Sequence, residues 1–386
     1  MELQKKKIKE SKSTEKEVEE VTEKAVGGVS VKKVVSPPAN LELDDLRMRF
    51  ADQPERFNSW YCTVNFPYEG KECLLKFCII VGTLMPEMVI LNYSQGPLTI
   101  KKEKNVQIIE KPSNFVDINH PPSSPDAFKY SEDDEMVALE MDELSFLCSE
   151  EEQKVISSSE ELGCDLTFKP RGAPLFWAGE RGALSKITEG TQVRIFEALC
   201  NAQGKIIVDG KEIPVNGTGV FEHAWINKIN FFEIRQVDWI YTNFDNMYMF
   251  LFPVDSVFSD GRPRHYVTGG IYNVKDDDYL YVHECEVIPE NWAFIEECYR
   301  FIPTQWKIKA ETDKGVLNMN AAVSIYPQFI FKERLEDLCL NRIYAWNLNY
   351  YDTPIVCNGE FVYNDGKTVK LTNGKGMNET IRVVPL

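Results

Sequence analysis

Hydrophobic positions along this chain fall in short alternating runs, not in helical stripes. WYCTVNF (60–66), ECLLKFCIIV (72–81) and EMVILNY (87–93) are rich in aromatic and β-branched residues. Tyr68-Glu69-Gly70 and Gln95-Gly96-Pro97 separate them, so the pattern predicts consecutive antiparallel strands. The rhythm resumes with DLTFKP (165–170), TQVRIFEALC (191–200), KIIVDGKEIPVNGTGVF (205–221) and MYMFLFPV (247–254). It continues with YVTGGIYNV (266–274), YLYVHECEVI (279–288), QWKIKAET (305–312), VLNMNAAVSIY (316–326), EFVYNDGKTVKL (360–371) and ETIRVV (379–384). Asp209-Gly210 inside KIIVDGKEIPV reads as the type I′ turn of a hairpin.

Helical periodicity is scarce. SEEEQKVISSSEEL (149–162) is the best candidate for a short helix, with an acidic loop as the alternative, and DDEMVALEMDELSF (133–146) partly alternates as a strand would. No helices stand between the strands as βαβ units, which argues against a doubly wound sheet. About sixteen or more short strands exceed one small barrel and fit two. The expected fold class is therefore all-β, with two antiparallel β-barrels packed together. The expected organisation is a charged tail over 1–40, a first barrel over 41–232 and a second over 233–386. The join falls near WINKINFFEIRQVDW, which breaks the strand rhythm. The acidic, Pro/Ser-bearing stretch 119–134 reads as a loop on the rim of the first barrel.

Composition narrows the classes. The chain has 386 residues, 43% of them apolar, enough for a sizeable core. A net charge of −17 opposes nucleic acid and anionic membranes as partners. The ten cysteines form no C-x-x-C pair and sit in or beside apolar runs, so they read as reduced, buried thiols. Residues 1 to about 36 are Lys/Glu-rich and predict a disordered or frayed helical tail. The N-terminus lacks an apolar signal core, and no run approaches the roughly 18 apolar residues of a membrane span. These readings lead to the expectation of a cytoplasmic protein without a transmembrane segment.

Candidate chemistry centres on GTGVFEHAW (217–225), which holds one of only four histidines. His223 follows a carboxylate, Glu222, and precedes an indole, Trp225, by two positions. In a strand His223 and Trp225 share one face and Glu222 takes the other. If the first face is a barrel lumen, it presents an acid/base beside an aromatic plate. The alternative is a buried histidine bonded to a backbone carbonyl, with Trp225 as packing. Trp60 and Tyr61 open the first barrel, and either plug its floor or line an apolar pocket. Trp177 in GAPLFWAGERG is comparable, and the neighbouring Arg181 is placed to pair a carboxylate. Tyr248 belongs to an aromatic-rich second half whose density suggests a roomy apolar cavity with polar tips. His283 reads as a strand histidine, while His120 and His265 read as loop residues. There is no P-loop, no G-x-G-x-x-G after a strand, no H-E-x-x-H and no G-x-S-x-G elbow, so neither a nucleotide cofactor nor a metal is expected.

These residues carry a resemblance. SWYCTVNFPYEGKECLLKFCIIV looks like the opening strand pair of the AttH-like double-lipocalin family, which includes carotenoid 1,2-hydratase (hydroxyneurosporene synthase), kievitone hydratase and fungal pericyclases. Ser59-Trp60-Tyr61 stands where that family has Trp-Trp-Tyr. GTGVFEHAW resembles its central Asp-His-x-Trp strand, with Glu222 replacing Asp before His223 and Trp225. IPTQWKIK is similar to its Pro-x-x-Trp strand, and the closing NGEFVYNDGKTVKLTNGKGMNE to its last strands, ending at Glu379. The following strand MYMFLFPV differs in having no carboxylate, only the flanking Asp245 and Asp255. The resemblance covers roughly 56–386 and implies two lipocalin-like barrels with an apolar ligand site near their junction. It implies cofactor-free hydration, isomerisation or cyclisation of an isoprenoid- or polyketide-like hydrophobic small molecule. The resemblance carries over only His223 and Trp225, with Glu222 as their supporter. Joined to the reading of the residues, it makes His223 and Glu222 the expected catalytic pair and Trp225, Trp60, Tyr61, Trp177 and Tyr248 the expected substrate contacts. A non-catalytic carrier or sensor of a lipid-like ligand is the alternative, and a scaffolding protein the third reading.

Overall fold

In the computed structural model the described residues are 40–49, 56–84, 87–177, 181, 185–188, 190–228, 230, 233–257, 261–298, 300–329 and 346–385. The expected charged tail, apart from Asn40, lies outside them.

The chain enters through one short helix, α1 (Leu43–Leu46), whose Leu43 and Leu46 are buried. The strands of the first half are β1 (Phe57–Tyr68), β2 (Lys71–Gly82), β3 (Met88–Gln95), β4 (Thr99–Glu103), β5 (Val106–Glu110), β6 (Val116–His120) and β7 (Phe128–Glu132). They continue as β8 (Val137–Met141), β9 (Leu144–Cys148), β10 (Gln153–Ser158), β11 (Leu162–Pro170), β12 (Leu175–Phe176), β13 (Ser185–Thr188), β14 (Thr191–Val208) and β15 (Lys211–Lys228). The second half holds β16 (Ile234–Phe244), β17 (Met247–Val257), β18 (Pro263–Asn273), β19 (Asp278–Ile295) and β20 (Arg300–Thr312). It ends with β21 (Gly315–Val323), β22 (Gln328–Phe329), β23 (Trp346–Tyr363) and β24 (Thr368–Pro385).

Two antiparallel sheets result. The first runs β6-β3-β2-β1-β15-β14-β11-β10-β9-β8-β7, with β12 and β13 added on β14. Side chains from all along it, including Val116 of β6 and Phe128 of β7 at its two ends, converge on one core, so the sheet curls around that core. In the second, β16 to β21 and β23 to β24 form a meander, and the β18–β19 and β16–β24 pairings close it into a barrel. β4 and β5 leave the first half and extend the second sheet along β19.

Turn chemistry fixes the registers. Glu69 and Gly70 adopt φ +50° and +76°, and Asp209 and Gly210 adopt +50° and +73°. Both central residues of each two-residue hairpin are thus left-handed, as a type I′ turn requires. The second hairpin joins β14 to β15 over their full length. Gly219 serves another purpose: an added Cβ there would lie 1.8 Å from the Thr63 carbonyl oxygen, across the β1–β15 pair. Gly219→Ala is expected to destabilise the fold by about 1–3 kcal/mol, the cost of overpacking, read as a lowered denaturant midpoint.

Three places differ from the sequence expectation. Residues 153–158 form a strand, β10, in which Gln153, Val155 and Ser157 are buried and alternate with exposed neighbours; the surrounding Glu and Ser residues had mimicked a helix. The expected rim loop 119–134 contains β7 and the end of β6, and His120 is the last residue of β6. His265 lies within β18, not in a loop.

The core has three main layers. One fills the first curled sheet under α1. Another fills the second barrel. The third lies between the sheets, built by β1, β2, β14 and β15 on one side and β16, β17 and β24 on the other. Strands β1 and β15 are therefore apolar on both faces, one toward the first core and one toward the partner sheet.

Candidate functional site at the junction of the sheets

His223, Trp225 and Trp60 face the first core. The His223 imidazole stacks on Trp60 with ring centroids 4.5 Å apart and lies 4.6 Å from Trp225. Its Nδ1–H donates to the Asp45 carbonyl at 2.8 Å, and Trp60 Nε1–H donates to the Leu46 carbonyl at 3.0 Å, so both rings fasten α1 over the sheet. Arg181 pairs Asp45 at 2.6 Å, and the Arg194 guanidinium lies 4.8 Å over Trp225. Burial, aided by Arg49 and Arg194, pushes the imidazole down to about 3, so it is neutral near pH 7. The ring is packed against other rings and lies outside the junction cavity.

The opposite face of the same strand reaches that cavity. A void of about 120 Å³ opens between the sheets, close to the ~150 Å³ at which a protein cavity takes up benzene. Its apolar wall includes Phe57, Ile80, Ile195, Ile234, Trp177 and Trp239. Its polar end includes Lys76, Glu222, Glu379, Tyr61 and Tyr350. Strand pairing explains the convergence. Cys78, Tyr61, Glu222 and Glu197 form one row across β2, β1, β15 and β14. Asp352, Glu379 and Trp239 form a facing row across β23, β24 and β16.

The rows interlock. Lys76 of the first sheet is 1% exposed and ion-paired to Asp352 of the second, which is fully buried. Tyr350 donates to Glu379 Oε1 at 2.9 Å. Glu197 accepts from Trp239 Nε1 and, at 2.6 Å, from Tyr248 OH. Tyr248 thus meets the junction through Glu197, while Tyr61 and Trp177 line the cavity directly. Glu222 is 6% exposed, and its Oε2 has no hydrogen-bond partner.

Burial dominates the titration of these groups. It raises Glu222 well above the ordinary carboxylate range, and the charges of Glu197 and Glu379 add to the rise. Burial also raises Glu379, but Lys76 and the Tyr350 hydrogen bond pull it back. Lys76 itself is lowered by burial. The environments therefore push the two cavity carboxyls apart: Glu222 is the better acid reservoir and Glu379 the better anion.

Glu197 gives a pH prediction. Burial lifts it to about 8 against the pull of Tyr248 and Trp239. A carboxyl raised on folding stabilises the fold fully below its unfolded value and loses that contribution as pH climbs through the folded one. Stability should fall between about pH 4.5 and 8, by at most about 5 kcal/mol from this group. Thermal melts across that range should show the decline, and Glu197→Gln should flatten part of it.

Sequence reasoning missed Lys76, Glu197 and Asp352. Each is a lone charge inside an apolar strand, in LLKFCII, FEALC and YYDTPIV. Away from the junction, His120 Nε2 lies 3.0 Å from Glu143 Oε1 beside Asp142, a partly exposed His–carboxylate group. No helix among the described residues is long and apolar enough to cross a membrane.

No family model and no curated protein matches the sequence. Solved structures do. A crystal structure of an AttH protein from Nitrosomonas europaea is similar with a TM-score of 0.60 and 11% identity, over 90% of this chain and 98% of that one. The chain has the AttH-like double-lipocalin fold. CghA, solved with Sch210972, has the same arrangement with a TM-score of 0.55 and 11% identity, over 91% of this chain and 95% of that one. Kievitone hydratase from Nectria haematococca has a TM-score of 0.51 and 11% identity, over 92% of this chain and 98% of that one. In the AttH-like fold seen here, the Glu-His-x-Trp strand is shared between two environments. His223 and Trp225 serve the first core, and Glu222 serves the junction.

Proposed function

We propose that this protein transforms an apolar, isoprenoid- or polyketide-like small molecule at the junction of its barrels, by cofactor-free hydration, isomerisation or cyclisation. The observation that carries the reading is two buried carboxyls lining an otherwise largely apolar cavity, Glu222 from one sheet and Glu379 from the other. Two similar folds support it, one named for hydratase activity and one solved with a bound small molecule.

In this reading Glu222, whose protonated form burial favours, delivers its proton to the substrate. Tyr61, Trp177 and Trp239 line the cavity and would stabilise positive charge developing on carbon through their π-systems. Glu379, anchored by Tyr350 and drawn toward its anionic form by Lys76, takes a proton from water in a hydration or from carbon in an isomerisation. The proton count closes because one carboxyl gives what the other receives. His223 is a positioning residue that holds α1 over the first sheet.

The test is incubation of purified protein, in ¹⁸O-water, with an apolar-metabolite extract of its source cells. The expected result is a compound that gains labelled water, or changes retention at unchanged mass, with wild type but not with Glu222→Gln. Identical profiles would overturn the reading. An intact molecule that co-purifies and stays unaltered would instead support a carrier.

A further inference from the structure

The polar end of the cavity is not symmetrical in what it leaves open. Lys76 is taken by Asp352 and Glu379 by Tyr350. Thr191 accepts from the backbone of Asn230 at 2.9 Å. Glu222 is more than nine-tenths buried, lines the void, and keeps Oε2 without any partner. A buried polar atom without a partner costs roughly 1–3 kcal/mol, so a ligand that meets it gains more than a contact made in water. The surrounding wall is apolar, and the void is about the size of one ring.

We infer that the cavity selects an apolar ring bearing a neutral carbonyl oxygen, received by the Glu222 carboxyl. This rests on the proposed site but concerns binding, not turnover. Burial favours the protonated form of the Glu222 carboxyl, which makes it a donor, and a carbonyl oxygen is an acceptor that such a donor in an apolar wall takes. A ligand carboxylate would meet Glu379 as a like charge and would lose its hydration against the apolar wall. A ligand ammonium would compete with Lys76, whose charge already sits beside Asp352 and 5.4 Å from the Tyr61 ring centroid.

The experiment uses isosteric probes on the intact protein. Cyclohexanone and methylenecyclohexane differ only in C=O against C=CH₂, and cyclohexanecarboxylate and cyclohexylammonium supply the charged arms. Binding is read by tryptophan fluorescence, since Trp177 and Trp239 line the void, and by the infrared carbonyl stretch of bound cyclohexanone. The ketone should bind about tenfold more tightly than the alkene, the worth of one net hydrogen bond, and its stretch should move to lower frequency. Glu222→Met should abolish both effects while leaving alkene binding intact. Glu222→Gln, which retains an N–H donor, should keep the preference even though it abolishes proton delivery. Equal binding of ketone and alkene, a preference that survives in Glu222→Met, no binding of either, or tighter binding of a charged probe would each overturn the inference. Ketone selectivity without any labelled-water product would leave the ligand class standing and remove the catalytic reading. Turnover of a hydrocarbon without ketone selectivity would do the reverse.

Discussion

Replacing Lys76 by methionine is expected to destabilise the fold by about 3–5 kcal/mol, the cost of stranding a buried charge. The side chain is 1% exposed and its partner Asp352 is fully buried, so the orphaned carboxylate would have no water to turn to. Asp352 Oδ1 is already without a hydrogen bond, so the carboxylate rests on its ion pair with Lys76. The double variant Lys76→Met/Asp352→Leu should recover most of the loss, because an apolar pair of similar volume avoids both desolvation costs. Urea unfolding of the two singles and the double would check this as a cycle. Additive losses would mean that the pair does not interact. The single variant should also affect chemistry. Lys76 lowers both Glu222 and Glu379, so its loss would raise the two further and shift Glu379 toward its protonated form.

Much of the fold was legible because strand alternation and turn chemistry are local. Glu69-Gly70 and Asp209-Gly210 announce hairpins that the backbone confirms with positive φ at both central positions. Alternation fails where its contrast is lost. In β10 the inward set is Gln153, Val155 and Ser157, so only one apolar side chain marks the buried face. It fails again in β1 and β15, for the opposite reason. Both faces there are buried, one by a core and one by the partner sheet, so parity separates His223 from Glu222 without telling which faces the ligand. The pairing of Trp225 with His223 on one face was readable; the direction of that face was not. Lys76 and Asp352 stand 276 positions apart, and only the closure of two separate sheets brings them together.

Glu222→Gln is expected to lower turnover by about 10²–10⁴, the usual worth of a placed general acid. Glutamine matches the carboxyl in size and keeps a donor but has no transferable proton. It also replaces a buried carboxyl that makes no hydrogen bond through Oε2, so folding stability should hold or rise, above all at pH 7 and higher. Activity and stability would therefore move in different directions, which a general packing defect would not produce. The pH profile supplies the second reading. Wild-type activity should persist while Glu222 keeps its proton and decline as pH climbs through its raised value. On the acid side it should fade as Glu379 loses its anionic form. Removing the imidazole instead, as in His223→Phe, should cost stability through the lost bond to the Asp45 carbonyl, with turnover per folded molecule largely retained. A His223→Phe enzyme as inactive as Glu222→Gln, with melting unchanged, would return the chemistry to the imidazole and its face of the strand.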